Sequence, residues 1–461
     1  MGITDIISEY VMRTRFEDIP KEIIELAKEF ILDSVGASLI GSLEPVSQIT
    51  RQYVIEDCSK PEAGAIGGRF KTTVSNAAFL NGTSNHAAEL EACGDFAGCN
   101  PLSIIPVSLA FGEKLGLSGK KILEAIIVAF EVQGKMGMGT TPASHNRGWC
   151  SISLHGTLGA ALTAAKMLNL DAYQIKMAVG LAADQAGGLM RQLGTMAHLL
   201  EGGLACRNGV FAATMAQMGA TAAEDILDGA PSFWEVYVGK GGFDPEIMVR
   251  DFGNPYYLKS PGISMKKYPC CFFMHRALDA ALQLVEEHNI AYEDIESVEA
   301  GITPFIYDSL LGHGDPNSGD MARFSLEHGL ASAILKKKVT VASFSNKEVL
   351  SPAFVQARKK VNVKVHPEWP SGRSALAIPV TIRVRDGKEF TRKVDKLRGS
   401  AKLPLNRDEQ IGRYAEFARP LLSDSQVEQT VRFILNLEEL RDVRVLMNIL
   451  TFGRELSNSQ K

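Results

Sequence analysis

Apolar residues recur at helical spacing through roughly the first 260 residues of the chain. Ile23, Ile24, Ala27 and Ile31 follow one another every three or four positions, which is the period of one face of an α-helix. Similar apolar runs predict further helices at 103–115, 119–133, 153–168, 171–188 and 203–218. Many of these runs are rich in Gly and Ala, which let helix backbones approach closely. We therefore expect a packed all-helical domain.

The pattern changes after about residue 265. Residues 295–306 and 361–365 alternate apolar and polar side chains as strands do, and 377–384 and 389–394 flank an Asp-Gly turn typical of a β-hairpin. Helical spacing is found at 322–336 and 352–359, and again in the tail after about residue 407. These elements predict a mainly α protein: a large helical domain, 1–264 with 400–461, into which a smaller α+β domain, 265–399, is inserted.

Composition narrows the class of protein. The chain has 461 residues and a formal net charge of -4, so it lacks the basic surplus typical of nucleic-acid-binding proteins. No apolar run approaches the roughly 18 residues of a membrane span, and the N-terminus lacks the pattern of a secretory signal. We therefore expect a cytoplasmic protein that binds neither nucleic acid nor membrane. The seven cysteines, an odd number, indicate reduced thiols.

Residues 81–101 combine His86, carboxylates, cysteines and glycines in a short stretch. Such a mixture forms a poor helix, so we expect a helix end followed by a loop. The loop either presents Glu89, Glu91 and Asp95 to a cleft or is a solvated acidic surface.

A second candidate segment spans 145–157. Gly148, Trp149 and Cys150 are expected to end one element, and Ser151 or Ser153 to cap the next helix. The free N–H groups of a first helical turn can bind a carboxylate, and a thiol beside them can be activated. The alternative is an ordinary cap beside a buried cysteine. His155 lies within an apolar run and is expected to be packed rather than catalytic.

Two further segments place cations among apolar residues. Arg191, His198, Glu201 and Arg207 lie in 187–209, where an arginine can bind a substrate carboxylate or form a structural ion pair. Lysines 266 and 267 precede an aromatic-Pro step, where they can neutralise a carboxylate, transfer a proton or simply be solvated.

Common cofactor motifs are missing from the sequence. No Cys or His spacing matches a common zinc site, and neither a dinucleotide-binding glycine pattern after a predicted strand nor a P-loop occurs. The Gly-x-Ser-x-Gly pattern of serine hydrolases is missing too. We expect neither a metal nor another cofactor.

Taken in order, these segments resemble the MmgE/PrpD family over nearly the whole chain. The resemblance rests on five stretches: Asn81-Gly82 with His86, GWC…GTLGAA at 148–161, GTMAHLLEGGLACRNG at 194–209, KKYPCC…H at 266–275, and ARFSLEHGLASAIL at 322–335. It implies a helical domain with an α+β lid domain, a homodimer, and an active site in the cleft between the domains. It also implies cofactor-independent dehydration, decarboxylation or epimerisation of small carboxylic acids.

The resemblance also implies site residues, and several depart from the family's usual types. Lys266 and His275 match its lysine and a later histidine. Cys99 and Cys150 each stand where the family has His, His198 where it has Lys, and Glu89 where it usually has Asp. The resulting catalytic candidates are Glu89, Cys99, Cys150, His198 and Lys266. The substrate-binding candidates are Glu91, Cys93, Arg191, Arg207, Lys267, Cys271 and His275.

These departures indicate a changed substrate rather than a decayed site, because a decayed site drifts more often to Ala, Ser or Leu. Losing two histidines and a lysine removes positive charge, so we expect a substrate with fewer anionic groups than methylcitrate or cis-aconitate. The leading hypothesis is a dehydratase or decarboxylase. One alternative is an epimerase in which Cys99 and Cys150 form a two-thiol base pair. The others are a non-catalytic relative that binds a small acid and a metal- or thiol-redox protein.

Overall fold

The computed structural model describes residues 1–57, 59–94, 101–369 and 378–453. Contacts between backbones divide them into two compact units. The first, which we call the helical unit, is built from Met1–Arg191, Leu199–Met265 and the described part of the chain from Leu405 onward. The second, the mixed unit, contains Gln192–His198 and Lys266–Pro404.

The helices carry most of the structure. In chain order they are α1 Ile3–Arg13, α2 Lys21–Gly41, α3 Pro45–Glu56, α4 Val74–Ala87, α5 Ile105–Leu115, α6 Gly119–Thr140, α7 Ala143–Asn146, α8 Ser151–Met167, α9 Ala172–Ala183, α10 Met196–Gln217, α11 Phe233–Val238, α12 Pro245–Val249, α13 His275–Glu287, α14 Pro304–Ile306, α15 Gly319–Ala322, α16 Leu326–Lys336, α17 Asn346–Val349, α18 Pro352–Arg358, α19 Arg407–Ala418, α20 Asp424–Leu435 and α21 Arg444–Phe452. Polar residues begin many of them; for example, the Asp171 carboxylate accepts a hydrogen bond from the Gln174 amide at the start of α9.

In the part of the chain that the structure describes, the strands form three small sheets. They are β1 Ala63–Gly64, β2 Lys71–Thr72, β3 Cys93–Gly94, β4 Ile263–Ser264, β5 Ile295–Ile302, β6 Val361–Val365, β7 Val380–Val384 and β8 Glu389–Arg392. β1 pairs with β2 and β3 with β4, while the other four form one sheet in the order β6-β5-β7-β8. In that sheet β6 is parallel to β5, and the other two pairings are antiparallel.

In the helical unit, α2 packs against α4, α6 and α19. Ile31, Leu39 and Phe130 are almost completely buried at these contacts, and each such side chain contributes about 2 kcal/mol by leaving water. Gly36 lets α19 approach, since a Cβ there would be 3.3 Å from the Tyr414 ring. The tail of the chain is thereby part of this unit's core.

In the mixed unit, α13 and α16 pack on the sheet. The apolar side of α13 buries Leu278 and Leu284, and the sheet buries Val298, Val380 and Ile382. Alternating burial along β7 explains why its alternating sequence pattern predicts a strand.

The structure confirms a mainly α fold with a smaller α+β part, and the helices and the hairpin occur close to their expected positions. The domain bounds 1–264 with 400–461 and 265–399 stay a prediction. Helix α10 begins at Met196, earlier than expected from the sequence, because Gly202 and Gly203 lie inside the helix rather than before it. Among the described residues, no helix is both long and apolar enough to cross a membrane.

Candidate active site

A histidine and two glutamates are buried together where α4 ends. His86 lies in the last turn of this helix, and its Nε2 atom is 2.9 Å from Glu89 Oε1 and 3.9 Å from Glu91 Oε1. All three side chains are at most 4% exposed. We call them the acidic cluster. Groups of this type held so close together and away from water can hold or pass a proton.

Glu89 has an unusual backbone conformation. Its φ is 53°, in the left-handed region that glycine normally occupies after a helix. Its amide donates a hydrogen bond to the His86 carbonyl at 2.9 Å. Non-glycine residues in this region cost about 1 kcal/mol or more and are enriched at functional sites. The conformation therefore points to a role for the Glu89 side chain.

The segment after the acidic cluster pairs with a distant part of the helical unit. Cys93, in β3, lies opposite Ser264 of β4 and is half-buried. Cys99, a predicted catalytic residue, and Asp95 lie outside the described residues. The sequence expectation of a helix end followed by an irregular segment holds for the part that the structure describes.

Glycines bring α4 and α10 into backbone contact beside the acidic cluster. A Cβ at Gly82 would lie 2.7 Å from Cys206 Sγ and 3.0 Å from the Gly202 carbonyl oxygen. A Cβ at Gly202 would in turn lie 3.6 Å from His86 Cβ. The crossing therefore places the α10 turn that carries the buried Glu201 next to His86.

A second polar group surrounds Gly188, whose φ is 93°. Its carbonyl accepts a hydrogen bond from the Cys150 amide at 3.1 Å. A Cβ at this position would be 2.5 Å from Ser153 Cβ and 3.2 Å from Glu201 Oε1. Cys150, Ser153 and Glu201, which we call the Gly188 group, are all buried. A thiol, a hydroxyl and a carboxylate thus lie around one glycine.

The predicted serine cap of α8 is wrong. The N-cap residue is Cys150, and no side chain caps this helix. The pairing of Trp149 with Leu189 and the hydrogen bond of Cys150 to Gly188 fix the chain here, so the helix begins at Ser151 without a capping side chain. The Cys150 thiol consequently lies at a helix N-terminus, which carries partial positive charge.

The two candidate arginines have different surroundings. Arg191 is exposed, so it does not need a buried partner. Arg207 is half-buried, and its guanidinium lies over the Phe79 ring, 5.2 Å from the ring centre. That cation–π contact is a structural partner that the sequence did not indicate. Substrate binding by either arginine stays a prediction.

Two adjacent lysines open the mixed unit, and the structure separates them. Lys266 is 4% exposed. Lys267 has a side chain that is 42% exposed and donates to Asp279 Oδ1 at 2.7 Å, and the buried Tyr268 hydroxyl donates to the same oxygen at 2.5 Å. Lys267 therefore forms a partly exposed ion pair with Asp279, and Lys266 is a buried amine, the setting in which a lysine can act as an acid–base group.

The residues that follow are held by backbone contacts. His275 Nε2 lies 3.2 Å from the Cys270 carbonyl oxygen, and the Cys271 amide donates to the Arg323 carbonyl at 2.9 Å. His275 and Cys271 are both buried. His198, which groups with the mixed unit, packs against the Phe324 ring in a T-shaped arrangement, with 5.4 Å between ring centres.

Three other buried polar residues, His86, Glu201 and His155, show which site residues the sequence could and could not identify. His86 and Glu201 belong to the two groups described above, yet they are not among the candidate site residues from the sequence. The spacing of His86 three residues before Glu89 is a pattern that could have identified it, since it places the two side chains on the same side of a helix end. His155 is packed as expected: its Nε2 lies 2.8 Å from Thr140 Oγ1, and burial lowers its pKa to about 4.

Known proteins resemble the chain along almost its full length. Cis-aconitate decarboxylase of Mus musculus is 26% identical over 463 residues, which cover 97% of this chain and 93% of that protein. The human cis-aconitate decarboxylase is 25% identical over 466 residues, with 97% and 94% covered. The enzyme of that name from Aspergillus terreus is 26% identical over 475 residues, with 97% and 96% covered.

Family models match both parts of the chain. The MmgE/PrpD N-terminal domain matches residues 5–246, and the MmgE/PrpD C-terminal domain matches residues 268–439. The first match alone covers more than half of the chain. The protein therefore belongs to the MmgE/PrpD family.

Proposed function

We propose that this protein is a lyase that acts on a small carboxylic acid by proton transfer at a carbon next to a carboxylate. The acidic cluster carries the proposal, because His86 and Glu89 place an imidazole nitrogen and a carboxylate oxygen 2.9 Å apart in a buried position. The similar proteins named above are decarboxylases, which supports a lyase.

In this proposal Glu89 and His86 act as one acid–base pair. For dehydration, Glu89 removes the C–H proton, the electron pair forms the new C=C bond, and the β-hydroxyl takes a proton from the Cys150 thiol and leaves as water. For decarboxylation, the bond to the carboxylate breaks and CO2 leaves. The electron pair then stays on carbon, which takes a proton from the protonated pair.

The Gly188 group supplies a second acid in this proposal. The Cys150 thiol lies at the start of α8 and is buried near Ser153 and Glu201. In dehydration a thiol there can protonate the leaving hydroxyl, and the first-turn N–H groups of α8 favour a substrate carboxylate.

For holding a substrate carboxylate we propose Lys266 rather than Lys267. Lys266 is 4% exposed, and a buried amine interacts more strongly with an anion than a solvated one does, whereas the Lys267 side chain is 42% exposed and binds Asp279. Carboxylates are numerous in the helical unit's candidate groups, since Glu89, Glu91 and Glu201 are all buried there. Three buried carboxyl groups and one proposed lysine leave little positive charge for an anionic substrate. This supports a mono- or dicarboxylate substrate rather than a tricarboxylate.

An epimerase remains the second candidate function. The buried thiol of Cys150 at a helix N-terminus is the observation that favours it. In that reaction one thiolate removes a proton from a stereocentre and a second thiol, from Cys99, delivers one to the opposite face. No bond to carbon other than C–H is broken, so the product is a stereoisomer.

We also propose that the protein acts as a homodimer without a cofactor. Exposed apolar side chains support a protein interface on the helical unit, since Ile49 and Tyr53 of α3 are each 60% exposed and Phe211 of α10 is 49% exposed. Light scattering during size-exclusion chromatography tests this, and a monomeric mass would contradict it.

The proposed chemistry is tested with Glu89→Gln and Cys150→Ala. Each removes one acid–base group while keeping a similar shape, so we expect turnover to fall about 100-fold or more with the fold preserved. Glu17→Gln, at an exposed position of the helical unit, is the control. Unchanged turnover in Glu89→Gln would remove the acidic cluster from the mechanism, and unchanged turnover in Cys150→Ala would remove the thiol.

A further inference from the structure

An arginine near the end of the chain contacts the backbone between the two glutamates of the acidic cluster. Arg413 lies on α19, and its Nη2 donates to the Leu90 carbonyl at 3.2 Å. Its Nε donates to Asp33 Oδ1 on α2 at 2.8 Å. One guanidinium thus joins two elements of the helical unit to the segment that carries Glu89 and Glu91.

The surroundings of Arg413 hold its side chain in place. The side chains of Arg413 and Asp33 are 11% and 2% exposed. The guanidinium also lies over the Phe417 ring, 4.6 Å from its centre. Gln410, one turn earlier on α19, donates to Glu29 of α2 at 2.9 Å, so the helix itself is fixed beside α2. Because these contacts fix the Arg413 guanidinium, the guanidinium can in turn fix the position of the Leu90 carbonyl that it binds.

The contacted segment needs such support. Residues 88–92 lie between the end of α4 and the start of β3, outside regular secondary structure. Leu90 is buried, and a buried carbonyl needs a hydrogen-bond donor. Its neighbour Glu89 has a left-handed backbone conformation. This conformation costs free energy in a non-glycine residue, so other contacts are needed to maintain it.

We propose that Arg413 is a positioning residue for the acidic cluster. By binding the Leu90 carbonyl, it fixes the backbone on which Glu89 and Glu91 are placed relative to His86. The inference rests on the proposed function, since positioning matters only if the cluster transfers protons. A planar guanidinium serves both partners at once through two nitrogens, which the single nitrogen of a lysine cannot do in the same geometry.

The test compares Arg413→Lys and Arg413→Met with a control on the same helix. Arg407→Gln removes an arginine whose guanidinium lies 3.5 Å from Glu29 and 3.7 Å from Glu25 at a more exposed position. Three quantities are measured for each variant: the melting temperature, the amide hydrogen exchange of residues 88–94, and turnover of small carboxylic acids, including cis-aconitate.

For Arg413→Lys, which can keep the Asp33 ion pair, we expect a melting temperature close to that of the parent protein. Exchange of residues 88–94 should rise about tenfold, and kcat should fall about tenfold with little change in KM, as expected when one charge-assisted hydrogen bond is lost. Arg407→Gln should change neither exchange nor kcat. If Arg413→Met does not fold, Asp33→Asn replaces it, with a smaller rise in exchange expected.

Two results would overturn the inference. The first is normal exchange and normal kcat in Arg413→Lys. The second is a loss of activity that follows the loss of melting temperature in the same proportion across all variants, since that describes a structural residue only. If the parent protein turns over none of the acids, the proposed function fails, and the exchange of residues 88–94 alone still decides whether Arg413 orders this segment.

Discussion

At the scale of single residues, Glu89 carries the clearest evidence of function. Its left-handed backbone and its buried carboxylate each cost free energy, and neither is needed to end a helix. A glycine would end α4 at lower cost. The chain therefore keeps the glutamate for its side chain, which lies 2.9 Å from His86.

This reasoning gives a prediction that separates stability from activity. Glu89→Gly removes the backbone strain and a buried carboxyl group, so the free energy of unfolding should stay equal to that of the parent or rise by up to about 1 kcal/mol. Turnover should be lost. Urea unfolding measures the first and a product assay the second. A variant destabilised by more than about 2 kcal/mol would show that Glu89 is structural.

The sequence predicts residues of this kind only in part. Glu89, Glu91 and Cys150 were identified from polar residues in unusual settings and from the family resemblance, and the structure buries all three. His86 and Glu201 are not among the candidate site residues, because a histidine or glutamate in a helix has no distinguishing sequence pattern. Only its three-dimensional neighbours show that it belongs to a site. Arg413 lies more than 300 positions from Leu90, so no local pattern connects them.

At the scale of elements, glycines decide how the helices of the candidate site meet. A Cβ at Gly203 would overlap the Phe79 carbonyl oxygen and the Thr83 hydroxyl of α4. Only a glycine lets α10 lie this close, and this closeness puts the α10 turn at Gly202 beside His86. Glycine within the helix also explains why the sequence pattern placed the start of α10 too late.

Gly203→Ala should therefore destabilise the protein by about 3 kcal/mol, since backbone atoms cannot move aside easily. Gly412 of α19 is the matched control, because a Cβ there meets no atom within 4 Å. Gly412→Ala should stabilise the protein by about 0.5–1 kcal/mol through helix propensity alone. Thermal unfolding of both variants measures the difference. If the two substitutions changed the stability equally, the result would contradict the close contact between α4 and α10.

Element positions are largely predictable, because the long apolar runs of α5, α6 and α8 are helices that are buried along nearly their whole length. The start of α8 is not predictable from the sequence, because it depends on a hydrogen bond from the Cys150 amide to the Gly188 carbonyl, almost 40 residues away. Local propensity favours serine as a cap, and the tertiary pairing overrides it.

At the scale of the whole molecule, two buried histidines link stability to pH. Burial lowers the pKa of His155, in the helical unit, and of His328, in the mixed unit, to about 4. The unfolded chain binds these protons near pH 6.5, so between pH 6.5 and 4 it holds more protons than the fold. The stability from each neutral histidine is present above pH 6.5 and is lost as the pH falls toward 4.

At pH 5 we expect each histidine to lower the free energy of unfolding by about 2 kcal/mol relative to pH 7. His155→Gln cannot gain the charge, so its unfolding free energy should fall less between pH 7 and 5, even if it is less stable at pH 7. Denaturant unfolding at several pH values measures the slopes. An unchanged slope in His155→Gln would show that this imidazole does not titrate as described.

The family of the whole chain was recognisable from its ordered segments, and the family models confirm it. The substrate is not recognisable in the same way. The resemblance predicts cysteine, histidine and glutamate at positions where the family usually has other residue types. We expect these residues to lower the positive charge around the substrate, which gives the direction of a change in specificity but does not identify the molecule.

The central claim, proton transfer next to a carboxylate, is tested most directly by proton NMR of the purified protein in D2O. The substrates offered are a panel of small mono-, di- and tricarboxylates, including cis-aconitate, 2-methylcitrate and iminodisuccinate. We predict that at least one mono- or dicarboxylate loses a C–H signal beside its carboxylate or forms a new product, faster than cis-aconitate reacts. Unchanged spectra across the panel, together with thermal stabilisation by one of the acids, would contradict the claim and indicate a binding protein.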